Sequence, residues 1–251
     1  MSSFFATVCD DFSATVRLFL KLDLGLERET VLHFFDRLRK DYPSLSRLRR
    51  RDDDSLLLEE VSQVGDSRRW IRLNHDCLRL GHFAPPNLDE VTSFGRLVMS
   101  QAPFHLTMGE LDYDYLEVAF CFDLEFDGNH DQLVADTLFA DHPISSFLMA
   151  DQACHVLEAQ PLWGISLSPN CDTQARIEVK SRSNTYEVRT GEYESQPLSV
   201  YLTVRRYWGH SPAGDLEQEL HGLFERAEQL AVDKAVPLVV QPLAHAIASR
   251  S

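Results

Sequence analysis

The chain has 251 residues, with 24 Lys plus Arg against 39 Asp plus Glu, a formal net charge of −15. Apolar residues make up 44%, charged residues 25% and aromatics 10%. That is the composition of a globular protein, and it excludes a collagen, a disulfide scaffold and a wholly disordered chain. No apolar run approaches the roughly 20 residues that span a bilayer. The opening patch Phe4–Cys9 lacks a basic leader and stops at Asp10-Asp11, which argues against a signal peptide. Five scattered cysteines (Cys9, Cys77, Cys121, Cys154, Cys171) form no CxxC pair. They predict free thiols in a reducing cytoplasm, with Cys77, Cys121 and Cys154 in the core.

Hydropathy patterning predicts the elements in chain order. Val16, Leu18, Leu20 and Leu22 alternate with polar positions over 15–24, the mark of a half-buried strand. Over 27–39 the period changes, and Val31, Leu32, Phe34, Phe35 and Leu38 share one side of a helix that Tyr42-Pro43 ends. Strands are predicted at 55–63, 70–73 and 77–80, with turns at Gly65-Asp66 and Asn74–Asp76. Asn87 caps a helix, with Glu90 as its capping-box partner, and Pro103 stops it.

A second strand–helix opening follows. Leu116, Val118, Phe120, Phe122, Leu124 and Phe126 share one face of a strand over 115–126, and Glu117, Asp123 and Glu125 lie on the other. Helices are predicted at 131–140 and 145–157, then strands at 163–167, 175–180, 185–189 and 198–207. A long helix begins after Pro212, with an apolar stripe from Leu216 to Ala231, and Pro237 and Pro242 break what remains. The fold class is α+β: two strand-helix-meander-helix units, 1–108 and 109–251, with antiparallel sheets and a long C-terminal helix. The openings at 15–43 and 115–143 suggest internal duplication. The two units are expected to pack as one body.

Three segments carry a family resemblance: Trp70-Ile71-Arg72-Leu73 with Asp76–Leu80, the strand Tyr115–Phe126, and the helix Leu216–Ala231 containing Leu220-His221. In order and spacing, over about residues 15–235, they resemble a sporadically distributed bacterial family of this length with no assigned function. The Arg-Tyr-Asn-like feature of that family's middle strand is missing at Cys121-Phe122-Asp123. The resemblance implies a compact bacterial α+β protein without known catalysis, and it supplies no functional residue.

Charge is segregated. No Lys or Arg lies between Arg96 and Arg176, a stretch holding thirteen acids, whereas Arg37–Arg51 holds seven basic residues and one acid. The acidic stretch makes nucleic-acid binding an unlikely function class. Arg47, Arg49, Arg50 and Arg51 are candidate interaction residues; ion pairing with Asp52–Asp54 or other acids is the plainer reading of the run. His130, His142 and His155, among Asp131, Asp136, Asp141 and Asp151, are candidate metal ligands, though no HxH or HExxH spacing supports them. Adjacent acids such as Glu59-Glu60 point to opposite faces of a strand and make no acid/base pair.

From Tyr115 onward the order of elements resembles a shortened helix-grip fold. There Phe120, Phe122, Phe126, Trp163, Ile165, Val200, Leu202 and Val204 would line an apolar ligand cavity or simply fill a core. No nucleophile elbow, dinucleotide fingerprint or Walker sequence occurs, and no cofactor is expected. The leading expectation is a non-enzymatic cytoplasmic protein acting through protein contacts, self-association included. An apolar-ligand module is the alternative, and a metal-dependent enzyme using the three histidines is the third.

Overall fold

The computed structural model describes residues 4–61, 66–148, 154–209 and 214–250. Strand β1, Asp11–Leu20, buries Phe12, Ala14, Val16, Leu18 and Leu20 and leaves the residues between them partly exposed, as period-2 patterning requires. Helix α1, Arg28–Asp41, buries Val31, Phe34, Phe35 and Leu38. Four strands follow: β2 (Leu45–Arg50), β3 (Leu56–Glu60), β4 (Arg68–Leu73) and β5 (Cys77–Phe83). Helix α2, Leu88–His105, starts where the Asn87 side chain accepts the Glu90 N–H at 2.9 Å.

The second half opens with the 14-residue strand β6, Tyr113–Phe126, followed by α3 (His130–Leu138) and the single turn α4 (Ser145–Leu148). Strands β7 (Leu162–Ser166) and β8 (Thr173–Lys180) come next, then α5 (Thr185–Thr190) and β9 (Gln196–Tyr207). Helix α6, Leu216–Leu230, continues through a π-helical segment, Ala231–Val240, into α7, Gln241–Ala248.

All nine strands form one antiparallel sheet in the order β2-β3-β4-β5-β1-β6-β9-β8-β7. Strand β1 sits inside it, paired with β5 on one side and β6 on the other. Helix α2 packs on β5, α6 packs on β6 and β9, and α2 and α6 pack on each other. The core lies between this helical layer and the sheet. Its aromatic centre joins Phe12, Phe120 and Phe122 to Phe5, from the N-terminal turn, and to Phe224 of α6, with centroids 5.0–6.2 Å apart. The opposite face carries half-exposed Thr15, Arg17, Phe19, Trp70, Arg79, Tyr115, Thr203 and Tyr207. We call it the open face.

Several expectations need correction. Strand β2 lies where only a basic run was read; as an edge strand it buries one residue, Leu45, so no alternation marks it. The segment expected as a strand at 185–189 is helix α5. Asn184 and Glu187 form a capping box, and Gly191 ends the helix at φ 73°, so cap chemistry outweighs the Tyr and Val strand preference. The helix expected over 145–157 is one turn; residues 154–161 have no regular structure, and 149–153 lie outside the described residues. Gly65 and Pro212 lie outside them too. Pro103 falls in the last turn of α2 rather than beyond it.

Pro237 and Pro242 do not break the C-terminal helix. It runs 33 residues, Leu216–Ala248, widening into the π segment around Pro237, whose missing N–H a regular α-turn would have needed. This helix is long and apolar enough to cross a membrane by length and composition alone. In the fold Leu220, Leu223, Phe224, Ala227, Ala235 and Val240 of the same helix are buried.

Phe120→Ala empties the aromatic centre and is expected to cost about 3–5 kcal/mol in urea unfolding. Phe104→Ser, at a side chain 84% exposed, should change stability by less than about 0.5 kcal/mol.

Candidate interaction surfaces

Strand register sets one row of side chains across the whole open face. It runs Arg49, Leu57, Arg72, Arg79, Arg17, Glu117, Arg205, Gln174, Ser166, one residue from each strand in sheet order. Glu117, 1% exposed, is the pivot. Its Oε1 accepts from Arg17 Nη1 at 3.2 Å, and its Oε2 accepts from Arg205 Nε at 2.8 Å and from Arg205 Nη2. The Arg205 guanidinium also lies 4.2 Å from the Tyr115 ring centre and 5.5 Å from that of Tyr207. Arg72 pairs with Asp53 and bonds Ser55 Oγ; the Ser55 hydroxyl, donating to Asp53 Oδ1 at 2.6 Å, and then Arg72 hold the Asp53 carboxyl down at about 2. Arg79 stands between Arg72 and Arg17, donating to Cys77 Sγ at 3.4 Å and covering the Phe19 ring at 5.6 Å. Among the described residues no carboxylate lies within ion-pair distance of it. Like charges directly opposed across strands are destabilising.

The two sheet edges differ. On β2, Arg47 and Arg49 both reach Glu59, and Arg50 pairs with Asp54 at 2.9 Å. Arg51 lies just past the strand end, its backbone N–H bonded to Ser55 O at 2.9 Å. Three of the four candidate arginines are therefore ion-paired within the chain, on an edge carrying charge, which discourages strand addition. On β7 all five residues are exposed: Leu162 57%, Trp163 45% and Ile165 56%, with Gly164 and Ser166. Trp163 and Ile165 lie opposite Ile177 and Ala175 on the helix-side face, whereas α6 packs on β6 and β9.

The residues read as a cavity lining are thus split. Phe120, Phe122, Val200, Leu202 and Val204 are buried side by side, and Phe126 is half-buried against His130, with ring centres 5.9 Å apart. Trp163 and Ile165 stand at the sheet edge, where the Phe139 ring centre lies 6.3 Å from that of the indole. A groove of about 600 Å³ lies elsewhere, between α1 and the β2–β3 hairpin, with Val31, Leu48 and Leu56 inside and Arg28, Asp53 and His75 among its polar residues.

The histidine and aspartate stretch is spent on backbone capture. His130 Nε2 bonds Phe126 O at 2.9 Å and its Nδ1 accepts the Arg182 N–H at 3.3 Å, so both ring nitrogens are engaged. Buried Asp131 accepts from Ala159 N at 2.7 Å and Ser181 Oγ at 2.5 Å, tying the irregular 154–161 segment and the end of β8 to α3. His142 is exposed, its Nδ1 accepting the Ile144 N–H; His155 is exposed as well. Asp136 pairs with Arg250 at 2.6 Å, and Asp151 lies outside the described residues. Among the described residues no group of three or more His, Cys, Asp or Glu is placed to hold a metal ion. Among the described residues His130, His142 and His155 are not brought together.

No family model and no curated protein matches the chain.

Sequence reading missed two groups. Glu117 reads as one surface acid among three, and only its central strand makes it buried. His82, fully buried, donates to or accepts from Ser67 Oγ at 2.7 Å, and among the described residues its Nδ1 has no partner. Cys154, expected in the core, is exposed, because the helix predicted to bury it does not form; Cys77 and Cys121 are buried. Burial raises the Cys9 thiol to about 12, with Asp10 adding to the shift.

Two outcomes follow from these contacts. Glu117→Ala leaves Arg17 and Arg205 unpaired beside each other and should cost about 1–3 kcal/mol in urea unfolding. Burial first, and the Arg69 cation second, lower the His82 imidazole from 6.5 to about 4. The folded chain therefore holds His82 neutral where the unfolded chain protonates it. That contribution is complete above pH 6.5 and declines as pH falls toward 4. Between pH 7 and pH 5, His82→Gln should lose less stability than the wild type.

Proposed function

We propose that this chain is a non-enzymatic cytoplasmic protein that acts through protein contacts and self-associates by pairing β7 of one copy with β7 of another. The observation carrying this is the β7 edge: an apolar strand, exposed at all five residues, on a sheet whose other edge is arginine-rich. An open strand edge presents unpaired N–H and C=O groups that a second strand satisfies. The sequence Leu162-Trp163-Gly164-Ile165-Ser166 is self-complementary about Gly164. An antiparallel two-fold pairing sets each Trp163 opposite the partner copy's Ile165, twice per dimer. Aromatic–β-branched pairs of this kind contribute about 0.2–1 kcal/mol each, and a two-fold contact closes on itself without forming fibres.

A binding role also accords with how the acidic side chains are used. Glu60, Glu117 and Asp131 are each held by ion pairs or hydrogen bonds that support the fold. The five free cysteines accord with a reducing compartment.

We further propose that 1–108 and 109–251 descend from one duplicated unit. Each unit's first strand pairs with its last, β1 with β5 and β6 with β9, and each ends in a helix, α2 and α6, that packs on the other. Arg17 and Glu117, 100 residues apart, face each other in the β1–β6 ladder, where a local two-fold would pass.

Sedimentation velocity tests the assembly. The wild type should show a monomer–dimer equilibrium that shifts with concentration. Ile165→Lys and Gly164→Pro, both at exposed positions, should give monomer alone, and Arg49→Ser on the opposite edge should leave the equilibrium unchanged. A wild type that stays monomeric up to millimolar concentration contradicts the reading.

A further inference from the structure

Two cross-strand rows beside the arginine row give the open face a shape. On one side Phe19 stacks on Tyr115 at 4.4 Å, and Tyr115 lies 5.2 Å from Tyr207. On the other side comes a run of small residues, Gly81, Thr15, Ala119 and Thr203, in register on β5, β1, β6 and β9. Beyond them Phe83 and Tyr201 stand at the two ends of the next row, with Ser13 and Cys121 between them, so the small residues form the floor of a shallow trough crossing the strands. The Trp70 indole ends the trough by lying on Gly81; a Cβ there would come within 2.6 Å of the ring. Arg72, Arg79, Arg17 and Arg205 line one wall over four strand spacings, about 19 Å.

From β4 to β9 that wall holds four arginines and one acid, Glu117, in a chain of net charge −15. Arg72 is held by Asp53, while Arg17 and Arg205 share Glu117. Among the described residues Arg79 has only a thiol and a ring face. Arg68 stands over the Phe83 ring at 4.9 Å, at the far end of the same trough. Among the described residues it too has no carboxylate within ion-pair distance. An anion brought from outside would relieve the unfavourable Arg72–Arg79–Arg17 alignment. Guanidinium forks suit carboxylates in two-point contact.

We infer that this trough binds an extended, acidic segment of a protein partner, whose carboxylates pair with Arg79 and the neighbouring arginines. Single-stranded nucleic acid fits less well. Phe19 and Tyr115 already cover each other's faces, and Arg205 lies on Tyr115, so those rings offer no free platform for bases. A polyanion carrying one charge per nucleotide is also repelled by the rest of a −15 chain, whereas a segment with a few carboxylates is repelled far less. The inference is independent of the β7 pairing, because the trough lies across the middle of the sheet.

Fluorescence anisotropy with the full chain tests it. The probes are a short fluorescein-labelled peptide of alternating Glu and Thr, its Lys-Thr counterpart, and a labelled oligothymidylate of equal length. The acidic peptide should bind saturably at low salt and weaken as salt rises. Arg79→Glu should weaken it at least about tenfold, a difference of 1.4 kcal/mol. Lys234→Glu, the same charge change on an exposed part of the C-terminal helix, should leave affinity within about twofold. Arg79→Ala should weaken binding while leaving the melting temperature unchanged or raised, since it removes a like-charge contact; a merely structural arginine would lower it. This milder variant also decides the matter if Arg79→Glu does not fold. Absence of saturable binding, equal loss from Lys234→Glu, or tighter binding of the oligothymidylate overturns the inference.

Discussion

The β1–β6 ladder is the constraint on which the rest of the fold depends. Without it β1 would be the edge of a five-stranded sheet and β6 the edge of a four-stranded one. Joined, they make one sheet of nine strands and bring α2 against α6 over its centre. The ladder is apolar toward the helices, through Val16, Leu18, Val118 and Phe120, and ionic toward the open face, through Arg17 and Glu117. A carboxylate buried this deeply persists only when its lone pairs are filled. Arg17 and Arg205 fill them from the two flanking strands, so the same three residues pin the register of β1, β6 and β9.

What could be read from sequence follows from how local the cause is. Strands β1, β6 and β9 alternate because one face of each meets a helical layer, and that period is visible residue by residue. The Asn87 cap was legible because the cap and its N–H donor lie three residues apart. Strand β2 was not, because an edge strand has few buried positions and its arginines mask the pattern. Helix α5 was misread because Thr185, Tyr186 and Val188 favour strands, while the deciding groups, Asn184, Glu187 and Gly191, sit at its ends. The continuation of the last helix past Pro237 was hidden because a π-helical turn accommodates the ring that an α-turn rejects.

The site was less legible than the fold. An arginine row needs the pairing of strands from residues 17, 79, 117 and 205, and no local window contains it. Conversely, His130, Asp131, Asp136 and His142 crowd together in sequence, yet among the described residues they form no metal-holding group. Their side chains turn to different tasks: capturing backbone around 154–161, pairing with Arg250, or closing a loop. Proximity along the chain is a weak guide to convergence in space. Charge segregation was legible, but its meaning changed. The basic run at 47–51 is largely neutralised by Glu59 and Asp54, whereas Arg79, unremarkable in sequence, stands without an acid among the described residues.

The sheet therefore has two unequal edges and two unequal faces: one edge charged, one apolar, one face under helices, one lined with arginine. Hydrogen–deuterium exchange of the untagged protein across a dilution series examines the apolar edge most directly. Edge pairing predicts that the β7 amides pointing away from β8 are protected in concentrated solution and exchange quickly on dilution, while the outer amides of β2 exchange quickly throughout. Exchange at β7 that is fast and independent of concentration would contradict it.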